Sequence, residues 1–268
     1  MGRSEINRLE VIERESDRFA EVLSTTDPAA PVPSCPGWTA DDLLWHLTEV
    51  HLFWAGILRE EALTDDDSER LEEAKPPRPE DTAGLLGLRE HATLQLLSQL
   101  TELGDDEVRW SWWPPEQTVG FTRRMQTYEA TMHRVDAEQA AGVDVSPIPP
   151  EVAAGAVDHC VDVMWGWQPD WATDETAAVI ELIASDTGDR WLVDVGPWFG
   201  TGPESGNEFD QARARRAAEG AQVSGTVTGS AEELALWAWG RADVDSVTIE
   251  GSDEAVGAVR RLILQGIQ

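Results

Sequence analysis

The chain has 268 residues, of which 51 are acidic and 20 are basic, so its formal net charge is −31. Such a surface repels phosphate backbones and anionic lipids, which excludes nucleic acid and membranes as expected partners. The 41% hydrophobic fraction is enough for a buried core. The N-terminus carries no signal-like segment, and we find no apolar run of membrane-spanning length. Two cysteines without a CxxC pair favour a reducing compartment, so the sequence predicts a cytoplasmic protein.

The first half of the chain is predicted to be helical, because apolar residues recur there at helical spacing in four segments. These segments lie near residues 4–25, 39–57, 81–103 and 121–142. The charged, proline-rich stretch 64–82 predicts a surface loop. Four helices around one core predict a bundle over residues 1–145, a fold in which side chains from facing helices build metal sites.

The second half, residues 151–268, predicts a smaller α/β domain with a mainly antiparallel sheet, which makes the whole chain α+β. The glycine-rich stretch 196–202 is expected to be a loop. The predicted elements are a helix over 151–167, a hairpin over 177–184 and 190–195, a strand over 222–229, a helix capped by Ser230, a strand over 246–250 and a helix over 253–264.

A candidate metal site is formed by His46 on the second predicted helix and by the Glu129-x-x-x-His133 pair on the fourth. Glu129 and His133 are four residues apart and share a helix face, so one ion can bind both. Two imidazoles and a carboxylate leave a fourth position open on zinc, and nickel or iron(II) accept the same ligands. Asp136 is either a competing ligand or the acceptor for an imidazole N–H. The alternative is a weak surface ion pair and a core histidine.

Other chemically capable residues have simpler explanations. His51 is expected on the surface, His91 and His159 as structural residues, and Cys35 as a small buried residue. Arg241 follows an apolar helix and is either a helix-end residue or a clamp for a substrate carboxylate. The aromatic cluster Trp110–Trp113 is interpreted as core packing or as the wall of a pocket.

The stretch Val32-Pro-Ser-Cys-Pro-Gly-Trp-Thr39, the Leu44-Trp-His-Leu47 segment and the Glu129-x-x-x-His133-Arg-x-Asp136 pattern resemble the mycothiol-dependent maleylpyruvate isomerase family. That family belongs to the DinB-like superfamily of metal-binding bundles. The resemblance implies a DinB-like four-helix bundle followed by a sterol-carrier-like α/β domain. It also implies zinc on His46, Glu129 and His133, mycothiol as the thiol co-substrate, and Arg241 as the arginine that faces the metal cleft.

The chemistry implied by the resemblance is attack of a metal-bound thiolate on a small electrophile. The thiol either adds to and leaves a conjugated double bond, as in cis–trans isomerisation of a maleylpyruvate-like acid, or stays attached, as in S-transfer. Arg241 is then the catalytic residue that neutralises a substrate carboxylate or enolate. The expected partners are this electrophile and a low-molecular-weight thiol, with the chain a monomer or homodimer. A non-catalytic metal or small-ligand binding module, or a purely structural interaction protein, are the alternatives.

Overall fold

The computed structural model describes residues 6–267, and in it the chain divides into two units between Ser146 and Pro147. The N-terminal unit is helical and the C-terminal unit combines helices with one sheet. The predicted ranges 1–145 and 151–268 include residues 1–5 and 268, which lie outside the described residues. The α+β fold class predicted from the sequence is confirmed.

The described part of the N-terminal unit consists of four long helices and one short one. They are α1 (Arg8–Leu23), α2 (Ala40–Arg59), α3 (Asp65–Glu73), α4 (Thr82–Glu102) and α5 (Val119–Ala141). The long helices bury the apolar residues whose spacing predicts them, for example Phe19 on α1, Leu43 and Leu47 on α2, and Leu85 on α4. Burying a side chain of this size stabilises the fold by about 1.5–3 kcal/mol. The core therefore fixes which faces of α2 and α5 meet.

The ends of α2 and α5 are set by local chemistry. The Thr39 hydroxyl accepts a hydrogen bond from the Asp42 backbone N–H, and the Asp42 carboxylate accepts one from the Thr39 N–H, which is the predicted capping box. Gly142 ends α5 with a φ of 66°, a left-handed conformation that glycine adopts without steric cost. These caps fix the start of the helix that carries His46 and the end of the helix that carries His133.

The prediction of a loop over residues 64–82 is wrong for its first half, which forms α3. Only Ser68 and Leu71 of this helix are buried, so it has almost no apolar periodicity to reveal it. A second capping box, formed by Thr64 and Asp67, starts the helix instead. An acidic first turn also suits the positive end of the helix dipole.

The C-terminal unit is built on a six-stranded sheet. Its helices are α6 (Pro150–His159), continued by a π-helical turn over Cys160–Met164, α7 (Ala231–Ala238) and α8 (Asp253–Gln265). Its strands are β1 (Thr173–Asp174), β2 (Ala178–Ala184), β3 (Arg190–Thr201), β4 (Glu208–Arg216), β5 (Gly225–Gly229) and β6 (Thr248–Gly251). The long strand β3 pairs antiparallel with β1, β2 and β4; β2 pairs parallel with β5, and β5 antiparallel with β6. The sheet is mainly antiparallel, as predicted.

The expectation of a loop over residues 196–202 is wrong, because β3 continues through this stretch to Thr201 and pairs with β4. Glycine is needed there for close packing: a side chain at Gly196 would collide with the Glu175 carbonyl oxygen. Strand β4 is not predicted because charged residues interrupt its pattern. Arg213, at its centre, is buried through ion pairs with Asp174 and Asp194 rather than through apolar packing.

Among the described residues, no helix combines the length and the apolar character needed to cross a bilayer.

Candidate metal centre

The three predicted ligands meet between α2 and α5. His46 extends from α2, and Glu129 and His133 extend from one face of α5. One ligand atom from each residue lies within 4.8 Å of the other two. We call these three residues the histidine cluster. The pairing brings together residues more than eighty positions apart because the two helices share the bundle core.

The distances from Glu129 to the two imidazoles of the histidine cluster are compatible with a single metal ion. Glu129 Oε1 lies 3.1 Å from His133 Nε2 and 3.6 Å from His46 Nε2. Ligand atoms about 2.0–2.2 Å from a tetrahedral zinc ion are separated from each other by about 3.4 Å. The two imidazole rings are nearly perpendicular, with an interplanar angle of 78°. The donor set therefore suits zinc, and imidazole and carboxylate also suit nickel or iron(II).

Asp136 contacts His133 from the side opposite to Glu129. Asp136 Oδ2 lies 2.8 Å from His133 Nδ1, and the carboxylate is completely buried. This contact favours a proton on Nδ1 and leaves the Nε2 lone pair directed at Glu129 and His46. The geometry therefore favours the acceptor role over the competing-ligand role for Asp136.

The contacts within the histidine cluster shift the pKa values of His133 and Glu129 in opposite directions. Burial alone would lower the pKa of His133, but hydrogen bonds to Asp136 and Glu129 outweigh burial and raise it to about 9. Burial would raise the pKa of Glu129, yet contacts with His133 and His46 hold it well below its usual range. The Glu129 carboxylate thus stays ionised and attracts positive charge, which a proton on His133 or a metal cation supplies.

His46 is partly accessible and has its own neighbours. Its ring lies 4.8 Å from that of Trp38, and its Nδ1 lies 3.8 Å from Glu49 Oε1. Glu49 is in turn 3.4 Å from the ammonium group of Lys75, the single lysine of the chain. The sequence assigned no role to Trp38 or Glu49, although Trp38 is part of the quoted family pattern and Glu49 is one helical turn after His46.

The expectation that His51 lies on the surface is wrong. His51 is fully buried, and its Nδ1 lies 2.9 Å from the Thr93 hydroxyl of α4. Burial and the nearby charge of Arg89 lower its pKa to about 3, so the ring is neutral. A hydrogen bond to another helix leaves no trace in sequence periodicity, which explains the error.

The remaining candidates are placed as follows. His91 is exposed, His159 is buried with its ring stacked on Trp239, and Cys35 is half-buried rather than buried. Trp110 stacks on Trp54 of α2, and Trp112 packs against Phe121 of α5. The tryptophan cluster therefore contributes to packing at the bundle's helices.

Arg241 belongs to the C-terminal unit, in the turn that follows α7. Its guanidinium donates a hydrogen bond of 2.6 Å to the Trp239 carbonyl, and its own N–H donates to Leu236. Its positive charge acts on the buried thiol of Cys160, whose pKa burial raises well above the ordinary value. The catalytic role of Arg241 stays a prediction.

The fold and the histidine cluster together define a DinB-like helical bundle with a potential metal site, followed by an α/β unit. Residues 9–138 match the family model of the mycothiol maleylpyruvate isomerase N-terminal domain. This match lies within the N-terminal unit and covers slightly less than half of the chain, and it confirms the resemblance inferred from the sequence for that unit.

Two solved structures share the fold of almost the whole chain. They are the mycothiol-dependent maleylpyruvate isomerase, with 17% sequence identity, and a histidine variant of that enzyme, with 16%. Each comparison covers 91% of this chain and 92% of the other, with a TM-score of 0.58. At this identity the likeness establishes the fold alone. No curated protein matches the chain.

Proposed function

We propose that the protein is a metal-dependent enzyme that uses a low-molecular-weight thiol, mycothiol, to isomerise or conjugate a small electrophile. The observation that carries the proposal is the approach of His46, Glu129 and His133 to one point within a domain of the mycothiol maleylpyruvate isomerase family. Zinc is the preferred ion, and nickel or iron(II) are the alternatives.

A set of three protein ligands indicates a catalytic site rather than a closed structural site, because structural zinc sites have four protein ligands. A bound zinc ion lowers the pKa of a coordinated thiol, so the thiolate nucleophile forms at neutral pH without a protein nucleophile. Glu129 bridges the two imidazoles and supplies negative charge. Asp136 holds the Nδ1 proton of His133, which keeps Nε2 available as a ligand atom.

The electrophile in this proposal is a small unsaturated acid of the maleylpyruvate type. Arg241 is proposed to neutralise its carboxylate or the enolate that develops when the thiol adds. If the thiol leaves after rotation about the former double bond, the reaction is an isomerisation. If the adduct is released, the reaction is S-transfer.

The test combines metal analysis with a thiol-dependent activity assay. The purified protein is analysed for bound metal and then incubated with mycothiol and either maleylpyruvate or a conjugated electrophile. We expect about one zinc per chain and turnover that requires both metal and thiol. His46→Ala should lose both, whereas His91→Ala, which alters an exposed histidine of α4, should keep both.

The other outcomes separate the alternatives. Bound metal without turnover of any electrophile would identify a non-catalytic binding module. A protein that binds no metal, and whose properties do not change in His46→Ala, would overturn the metal centre itself.

A further inference from the structure

The stretch Val32–Trp38 is part of the family pattern, yet the proposed chemistry assigns no role to it. We call it the proline loop. It is closed by a hydrogen bond of 3.0 Å from the Val32 N–H to the Trp38 carbonyl. Gly37 has a φ of 90°, which glycine tolerates far better than other residues. The loop is therefore a fixed turn rather than a loose connection.

The proline loop contacts one member of the histidine cluster, His46, directly and reaches another, His133, through Asp136. Trp38 packs against the ring of His46, as described above. At the other side, the Ser34 hydroxyl donates a hydrogen bond of 2.5 Å to Asp136 Oδ1. The second oxygen of the same carboxylate contacts His133 Nδ1 at 2.8 Å. Ser34, Asp136 and His133 thus form a continuous chain from the loop to a predicted ligand.

We infer that Ser34 is a positioning residue, which fixes the Asp136 carboxylate so that His133 presents Nε2 to the metal. Asp136 is completely buried, and the terminal torsion of an aspartate is broad, so the orientation of this carboxylate depends on the groups that bond to it. A hydroxyl donor at one oxygen selects the rotamer in which the other oxygen accepts from the imidazole. This inference rests on the proposed function, since it requires that the histidine cluster binds a metal.

The chain offers a matched control on the same helix. The Ser146 hydroxyl donates a hydrogen bond of 2.7 Å to Glu138, another completely buried carboxylate of α5. Glu138 contacts Arg134 instead of a histidine. Both serines are half-buried, so Ser34→Ala and Ser146→Ala remove the same kind of bond. Only Ser34→Ala interrupts a path to the cluster.

The experiment measures the zinc dissociation constant by competition with a chromophoric chelator. Partners outside the ligand set typically change metal affinity by 10–100-fold, and we expect Ser34→Ala to weaken binding by about tenfold. Ser34→Thr keeps the hydroxyl and should restore wild-type affinity, while Ser146→Ala should leave affinity unchanged. If Ser34→Ala fails to fold, Ser34→Cys replaces the hydroxyl with a weaker donor of similar size.

A second readout separates positioning from general stabilisation. In the zinc-loaded protein, nitrogen-15 NMR should show a proton on His133 Nδ1 that exchanges slowly with water. This exchange should accelerate in Ser34→Ala and stay slow in Ser146→Ala, even if both lose similar stability. Wild-type affinity and exchange in Ser34→Ala would overturn the inference alone. A wild-type protein that binds no zinc would overturn the proposed metal centre instead.

Discussion

Two adjacent residues of helix α5, His133 and Arg134, belong to two polar clusters that differ in how their charges are balanced. His133 belongs to the histidine cluster, whereas Arg134 lies in what we call the arginine network, with Glu15, Glu138 and Arg18. In the arginine network the guanidinium groups of Arg134 and Arg18 face the two carboxylates, and the exposed Arg14 is a further partner of Glu15, so the protein itself supplies the balancing positive charge. Around the histidine cluster, the carboxylates of Glu129 and Asp136 face imidazoles, which carry a positive charge only when they are protonated.

This difference separates a structural cluster from a potential binding site. The arginine network is complete without a ligand, because Arg134 donates to both carboxylates and to the Ser146 carbonyl. In the histidine cluster a proton on an imidazole or a bound cation supplies the positive charge that faces Glu129. The raised pKa of His133, about 9, reflects the proton that balances it when no cation is bound. Predictions that alter one cluster and spare the other test this distinction.

The largest effect on stability is expected from Arg134→Ala. It leaves Glu15 and Glu138 buried without their shared partner, and breaking a buried pair in this way costs about 3–5 kcal/mol. Urea unfolding of the metal-free protein measures the loss. Arg14→Ala removes an exposed partner of Glu15 and should cost less than about 1 kcal/mol. Equal losses for the two variants would contradict a central role for Arg134.

The second prediction concerns zinc as a stabilising ligand. Zinc at 100 times its dissociation constant should raise the free energy of unfolding by about 2.7 kcal/mol if it binds only the folded state. Glu129→Gln should abolish most of this increase, because it removes the charged bridge between the imidazoles. Glu49→Gln is the control, since Glu49 lies near His46 but outside the cluster. Equal zinc stabilisation of both variants would show that the ion binds elsewhere.

The sequence predicts the bundle and the histidine cluster well, for a physical reason. Helices α1, α2 and α4 bury apolar residues at helical spacing, and Glu129 and His133 lie one turn apart on α5. The failures share a different cause. Helix α3 is held by its capping box, β4 by the ion pairs of Arg213, and His51 by a bond to Thr93. Such features depend on partners that are distant or polar, so they leave no periodic pattern. The contact between Ser34 and Asp136, which spans 102 positions, is of the same kind.

A third prediction concerns the buried imidazole of His51, which is neutral in the folded protein, in contrast to that of His133. The pKa of His51 is about 3 in the folded protein, against about 6.5 when the chain is unfolded. Above pH 6.5 both states are neutral, so His51 contributes no pH dependence there. As pH falls from about 6.5 towards 3, the unfolded state gains a proton that the folded state refuses, and stability drops by up to about 1.4 kcal/mol per pH unit.

The measurement for His51 is the difference in unfolding free energy between the wild type and His51→Gln over this pH range, which cancels the shared carboxylates. The wild type should lose stability relative to the variant as pH falls. A difference that does not change with pH would mean that His51 becomes protonated in the folded protein.

The smallest effect should come from the rim of the arginine network. Arg18 is 38% exposed, and Glu138 keeps its bonds to Arg134 and Ser146 when Arg18 is replaced. Solvent screens a charge at this exposure, so Arg18→Gln should cost less than about 1 kcal/mol in urea unfolding, and zinc affinity should stay at the wild-type value. A loss comparable to that of Arg134→Ala would show that the charge balance of the network depends on both arginines. In that case the network's stability would not reside mainly in its single buried cation.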